Sequence, residues 1–202
     1  MPELLIATKN AGKMREIRIL LADLNLKITS LLDYPDIPSI VEDGKTFQEN
    51  AAKKALTIAK ATGKLAMGED SGLEVAALDN RPGIYSARFS GPKATDEKNN
   101  AKLLRLLKGV PMEKRQARYR CAAVLADRDK VIAVAQGSCQ GRIDLKEKGV
   151  NGFGYDPLFY IPRYKKTFGE LDSGIKDGMS HRFQALKKMK ESLQEYLGRK
   201  NL

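Results

Sequence analysis

Three groups of residues in this 202-residue chain have the types and spacing to do chemistry. The first is acidic: Glu69 and Asp70 are adjacent and follow the apolar run 65–67, while Glu42 and Asp43 lie in an earlier loop. Ligand sites in α/β sheets gather at the carboxyl ends of strands. Carboxylates brought together repel unless a cation or a proton intervenes. With one His and two Cys in the chain, hard oxygen ligands point to Mg²⁺ or Mn²⁺ as that cation. The competing reading is that Glu69 and Asp70 cap a solvated turn formed with Ser71 and Gly72. Asp156, which follows Gly152-Phe153-Gly154-Tyr155, has the same two readings.

The second group is basic. Lys9 and Lys13 flank the start of a helix expected from about residue 13, and His181 and Arg182 follow Ser180, the expected cap of the last helix. A helix start carries roughly half a positive charge, so a cation there costs up to about 1 kcal/mol. A bound anion would turn both penalties into attractions. Against this, exposed cations at helix starts are common and cheap. Thr8-Lys9-Asn10-Ala11-Gly12 has the strand–loop–helix form of a phosphate cradle without the spacing of a P-loop.

The third group is aromatic. Phe153 and Tyr155 flank Gly154 and could stack on a nucleobase, an attraction of about 1–3 kcal/mol, or form a lid over the apolar run that follows. Cys121 and Cys139 fall out of register on the two strands of a hairpin, so no disulfide is expected, which suits a reducing cytoplasm. A conventional zinc site and a His-activated nucleophile lack residues.

The elements that must position these groups are legible from periodicity and punctuation. A strand is expected at 4–7, then a helix with Met14, Ile17, Leu20, Leu21 and Leu24 on one face, then a strand at 26–30. Thr46-Phe47-Gln48-Glu49 reads as a capping box opening a helix that ends near Gly63. Strands are expected at 65–67 and 73–78 with the Gly68–Gly72 segment as the loop between them, and Arg81-Pro82-Gly83 as a turn. Thr95 opens a helix that closes at Gly109, and a hairpin pairs 117–126 with 131–138. The last helix carries Phe183, Leu186, Met189, Leu193 and Leu197. Helix–strand alternation combined with a hairpin predicts one α/β domain, a sheet of mixed direction with helices on its faces and no linker.

Taken in order, these pieces resemble the inosine/xanthosine triphosphate pyrophosphatases, which hydrolyse non-canonical purine nucleoside triphosphates. The resemblance rests on ATKNAGK (7–13), GKTFQENAAKKA (44–55), GEDSGLEV (68–75), PGIYSARFSG (82–91), NGFGYDPLF (151–159) and SHRFQAL (180–186). It implies an elongated twisted mixed sheet, two lobes around a cleft, and a homodimer. Under it, Thr8, Lys9, Asn10, Ala11, Gly12 and Lys13 hold the triphosphate, and Lys54 adds a phosphate contact. Glu42 and Asp70, with Glu69 beside them, serve Mg²⁺, and Asp70 is the catalytic base. Ser71, Phe153, Gly154, Tyr155, Asp156, Lys176, His181 and Arg182 line the nucleotide site, with donors from Arg182 and the loop amides reading the base oxygen. ITP, dITP and XTP would yield the monophosphate and pyrophosphate. Two residues depart from the family pattern: Glu69 stands where Asp is usual, and Phe183 where Gly follows the His-Arg pair.

Rival readings remain. A Maf-type pyrophosphatase would act on pyrimidine or modified nucleotides, but its Ser-rich opening motif with paired Arg is replaced here by Lys9-Asn10 and Lys13. A basic nucleic-acid-binding protein would explain 36 Lys and Arg against 25 Asp and Glu, a formal charge of +11. It leaves the acids without a role, so no nucleic-acid partner is expected. No apolar run approaches the ~20 residues of a membrane span, and the N-terminus lacks the form of a signal peptide. A cytoplasmic enzyme with no membrane partner is expected.

Overall fold

A computed structural model describes residues 1–37 and 40–200. The chain is a mixed α/β protein. Its strands are β1 (Glu3–Ile6), β2 (Lys27–Ser30), β3 (Leu65–Val75), β4 (Arg81–Pro82), β5 (Gln116–Asp127), β6 (Lys130–Ile143), β7 (Phe159–Ile161) and β8 (Lys166–Thr167). The helices are α1 (Ala11–Leu20), α2 (Phe47–Thr62), α3 (Asp96–Leu106), α4 (Ser173–Asp177) and α5 (His181–Lys200). The sheet order is β2-β1-β3-β5-β6-β7-β8, with β4 also paired to β3. β1 runs parallel to β2 and β3, whereas β3–β4, β6–β7 and β7–β8 are antiparallel. The expected mixed direction is what forms.

The chain divides into two compact units, one made of residues 1–70, 121–137 and 182–202, the other of 71–120 and 138–181. The chain passes between them within β3, β5 and β6 and at the start of α5. The core of the first unit gathers Leu4 and Ile6 of β1, Met14 and Ile17 of α1, Met67 of β3, Leu125 of β5, and Leu186, Met189 and Leu193 of α5. The core of the second is aromatic: Tyr119, Phe159 and Phe168 meet with centroids 4.6–6.2 Å apart, beside Leu73, Leu103 and Ile143. Phe183, expected on the apolar stripe of α5, is half-buried and lies outside the core cluster that Leu186, Met189 and Leu193 join.

Local chemistry sets most helix ends. Thr46 caps α2 by accepting the Glu49 N–H at 3.1 Å, and Gly63 closes it in a left-handed conformation, φ 65°. The reciprocal half of the capping box is displaced by one residue, because the Glu49 carboxylate accepts the N–H of Lys45. Thr95 caps α3 in the same way. α1 begins two residues before the expected position: Asn10 is its cap and accepts the Lys13 N–H at 2.9 Å.

The largest departure from expectation is β3. Residues 68–72 do not form a loop; they continue one eleven-residue strand, and residues 76–78 form a short 3₁₀ turn. The glycines and acids read as turn signals are needed for other reasons. A Cβ on Gly68 would lie 2.0 Å from the Ala51 carbonyl oxygen and 2.7 Å from the Ala55 nitrogen. Ala51, Ala55 and Ala59 form a small-residue stripe on α2, and Gly68 lets β3 press against it. Gly68→Ala should destabilise the protein by about 3 kcal/mol through overpacking against backbone, a fall in Tm of roughly 6–12 °C. Thermal unfolding checks this; a variant melting within 2 °C of wild type would show that α2 and β3 separate easily.

Candidate active site

In the first unit β3 carries Glu69 and Asp70 at successive positions, so their side chains leave the strand on opposite faces. Their partners differ accordingly. The Glu69 side chain has no exposed surface and meets Lys13 Nζ at 2.7 Å and Arg182 Nη2 at 3.2 Å. The Cys121 Sγ of β5 donates to Glu69 Oε1 at 3.2 Å. Arg182 is itself buried, and its Nη1 pairs with Glu16 of α1. Burial alone would push the Glu69 carboxyl up, but Lys13 and Arg182 outweigh it and hold the group well below the usual carboxylate range. Burial, then Glu69, raises the Cys121 thiol well above its ordinary value.

Asp70 faces α2. Its Oδ1 lies 3.1 Å from Lys54 Nζ, and its Oδ2 accepts from Asn50 Nδ2 at 3.2 Å. Lys54 Nζ also meets Glu42 Oε2 at 3.1 Å, so two carboxylates converge on one ammonium. Asn50, fully buried, accepts the Gly44 N–H at 2.8 Å and thereby ties the segment bearing Glu42 to the helix facing Asp70. Burial lifts the Asp70 carboxyl above its ordinary value although Lys54 and Lys13 oppose it. Glu42, more exposed, is held low because Lys54 outweighs its desolvation. The Lys54 ammonium is raised: burial disfavours its charge, and Asp70 and Glu42 more than offset this. Asp43 does not join the group; it pairs with Lys53 at the surface.

Lys13 and Arg182, both at helix starts, therefore have a protein acid as partner, and one carboxylate, Glu69, serves both. That pairing offsets the two positions as a bound anion would. It also removes the solvated-turn reading of Glu69 and Asp70, both of which are buried. Across the group three cations (Lys13, Lys54, Arg182) face four carboxylates (Glu16, Glu42, Glu69, Asp70). Thr8 accepts the Asn10 N–H at 3.1 Å, bending the chain into α1. Ala11 and Gly12 are the first residues of that helix, so their N–H groups have no acceptor within it. Lys9 is exposed.

Among the described residues no three His, Cys, Asp or Glu side chains form a metal cage. Mg²⁺ does not require one, since it is commonly held by one or two carboxylates together with substrate phosphates. Glu42 and Asp70, converging on one point, fit that donor set. Glu69 has a different set of partners.

The second unit holds the other expected residues. Asp156, buried, accepts from Lys176 Nζ at 2.6 Å and from the Phe153 N–H at 2.9 Å, and Tyr119 Oη donates to it at 3.4 Å. The Lys176 ammonium sits 5.0 Å from the Phe153 ring centroid. His181 stacks on Tyr119, 4.5 Å between centroids and 10° between planes. Tyr155 is buried and donates to the Ser86 carbonyl at 2.8 Å; its phenol is raised by burial. Gly154, at φ 64°, gives its N–H to Asp96 at 2.7 Å. Ser71 is half-buried on β3. The N–H groups of Phe153 and Gly154, expected to read a base, are thus held by Asp156 and Asp96, and the Arg182 guanidinium by Glu16 and Glu69. The two loop N–H groups and both terminal guanidinium nitrogens thus already have protein acceptors.

Reading the sequence gave no site role to Glu16, Asn50, Tyr119, Cys121 and Asp96. Two of them carried a usable signal: Glu16 follows Lys13 by three residues and so shares its side of α1, and Asn50 precedes Lys54 by one turn.

Comparison with known proteins agrees along nearly the whole chain. The model of the Ham1 family matches residues 4–192. A dITP/XTP pyrophosphatase of Desulforamulus reducens is 51% identical over 191 residues, covering 95% of each chain. One from Geobacillus kaustophilus is 46% identical over 200 residues, covering 99% of this chain and 98% of that one. Among solved structures, a HAM1 protein from Coxiella burnetii superposes with a TM-score of 0.88 at 39% identity, over 96% of this chain and 100% of the other. The Staphylococcus aureus Ham1 protein gives 0.85 at 37% identity, over 96% and 99%. With sequence match and fold running together over almost every residue, the chain belongs to the Ham1 family.

Proposed function

We propose that this chain hydrolyses non-canonical purine nucleoside triphosphates, ITP, dITP and XTP, to the nucleoside monophosphate and pyrophosphate. The observation that carries the reading is the meeting of Glu42 and Asp70 on Lys54, one strand position from the Glu69 that anchors Lys13 at the start of α1. Acids able to take a divalent ion and cations able to take phosphates share one group of residues. The curated relatives named above are dITP/XTP pyrophosphatases. The Maf-type alternative is not favoured, because the matching family is Ham1, and a nucleic-acid-binding role would leave Glu42 and Asp70 idle.

In this reading Asn10, Lys13 and the first N–H groups of α1 take the triphosphate oxygens, and Lys54 neutralises charge that develops on the leaving pyrophosphate. Glu42 and Asp70 would hold Mg²⁺ or Mn²⁺, which supplies further neutralisation of the phosphates when bound. Asp70 takes a proton from the water that attacks the α-phosphorus, as the Pα–O bond to the β-phosphate breaks. A carboxyl raised by burial is the stronger base of the adjacent pair. Phe153 offers its face to the purine. The Lys176 ammonium near that ring complements an acceptor oxygen at position 6, whereas adenine presents an amino donor there.

We further propose that the enzyme works as a homodimer in the cytoplasm. Among the described residues no helix is long and apolar enough to cross a membrane, and both cysteines are free and buried. Sedimentation should report about twice the 22.4 kDa chain mass; a species of single-chain mass at micromolar concentration would refute the dimer.

Two experiments test the chemistry. With Mg²⁺, ITP, dITP and XTP should be turned over far faster than ATP or GTP, with inorganic phosphate appearing only when inorganic pyrophosphatase is added, and EDTA should abolish turnover. Phosphate released without the helper enzyme would mean that a different bond is cut. Asp70→Asn should keep its melting temperature within a few degrees and lose about 10²–10⁴-fold in kcat. Turnover near wild type would remove Asp70 from the role of base.

A further inference from the structure

We propose that Asp96 and Asn100 of α3 are positioning residues for the base subsite, holding Gly154 by both its N–H and its C=O. The inference rests on the reading above that the loop bearing Phe153 receives the purine. Asp96 and Asn100 are four residues apart and so lie on the same side of α3. The Asp96 carboxylate accepts the Gly154 N–H at 2.7 Å, and the Asn100 amide, from a residue only 2% exposed, donates to the Gly154 carbonyl at 3.2 Å. Asn99 faces elsewhere, accepting the Ser90 N–H and donating to the carbonyls of Ser86 and Ala87. The helix therefore grips the loop on one side and the 86–90 segment on the other.

An acid in the first turn of a helix is favourable wherever it points, and Glu97 beside Asp96 meets that need while remaining exposed. Asp96 does something more specific, reaching a backbone group 58 residues away in sequence. Gly154 has a left-handed φ of 64° with nothing within 4 Å of an added Cβ, so glycine is required there for conformation and not for room. Phe153 is fixed on its other side, where its N–H is held by Asp156. The consequence is directional. Tyr155 and Asp156 are buried while Phe153 keeps exposed surface, with Lys176 held over its ring by Asp156. Release of Gly154 would let the Phe153 ring move relative to the Lys176 ammonium, the pair that is to recognise the base.

The decisive variant is Asp96→Ala, because Asp96 is exposed and its removal leaves both cores intact. kcat and KM are measured for ITP and for GTP, alongside the melting temperature. The expected result is a fall of about tenfold in kcat/KM for ITP, carried mainly by KM, with a smaller fall for GTP, because a displaced platform degrades recognition of the preferred base most. Asp96→Asn keeps an oxygen for the Gly154 N–H and should recover most of the loss, and Gly154→Ala should reproduce the Asp96→Ala signature. The proposal is overturned if ITP and GTP fall together, if neither changes, or if Asn at position 96 is no better than Ala, while the wild type still prefers ITP. A wild-type enzyme that treats ITP and GTP alike would instead remove the base-subsite reading, and the inference with it.

Discussion

Glu69 is a carboxylate with no exposed side-chain surface, placed on a strand with neighbours on both sides. Such a charge is strongly unfavourable unless it is paired and hydrogen-bonded, and the arrangement of the first unit answers that demand. Lys13 comes to it from the first turn of α1 and Arg182 from the first turn of α5. Both cations sit at the positive end of a helix, a locally unfavourable position, and the buried acid more than offsets it. Arg182 is buried too and needs a second acid, which Glu16 supplies from the same side of α1 as Lys13. One helix thus contributes a charge of each sign to a network that joins three elements.

The strand's alternation then separates the roles of two adjacent acids. Glu69, between Lys13 and Arg182, stays ionised far below the ordinary range, while Asp70, desolvated against α2 and only partly compensated by Lys54, is raised. Carboxyls driven apart in this way suit different tasks, one a permanent anchor and the other a proton acceptor. The separation costs no extra chain length. It follows from the pleat and from which helix covers each face.

Local signals carried most of the fold. Thr46, Gly63 and Thr95 mark helix ends because a cap is chosen by neighbours three or four residues away, and such choices are visible in sequence. β3 was not legible in the same way. Gly68, Glu69, Asp70 and Ser71 have the composition of a turn, and only Ala51, Lys54, Lys13 and Arg182, all distant in sequence, make a strand of them. The site shows the same division: Lys13 and Glu69 lie in motifs visible in the sequence, whereas the Glu16–Arg182 pair joins residues 166 positions apart and was not legible.

The loop amides expected to read a base illustrate a related point. A glycine-rich segment advertises free N–H groups, but the sequence does not show which acceptors will claim them. Here Asp156 claims that of Phe153 from within the loop, and Asp96 claims that of Gly154 from a helix. With those two N–H groups taken, the main chain at Phe153 and Gly154 has fewer donors to offer a ligand. The two bonds fix the backbone on either side of the Phe153 side chain. Lys176, like these amides, is held by a protein acid, Asp156, beside the Phe153 ring.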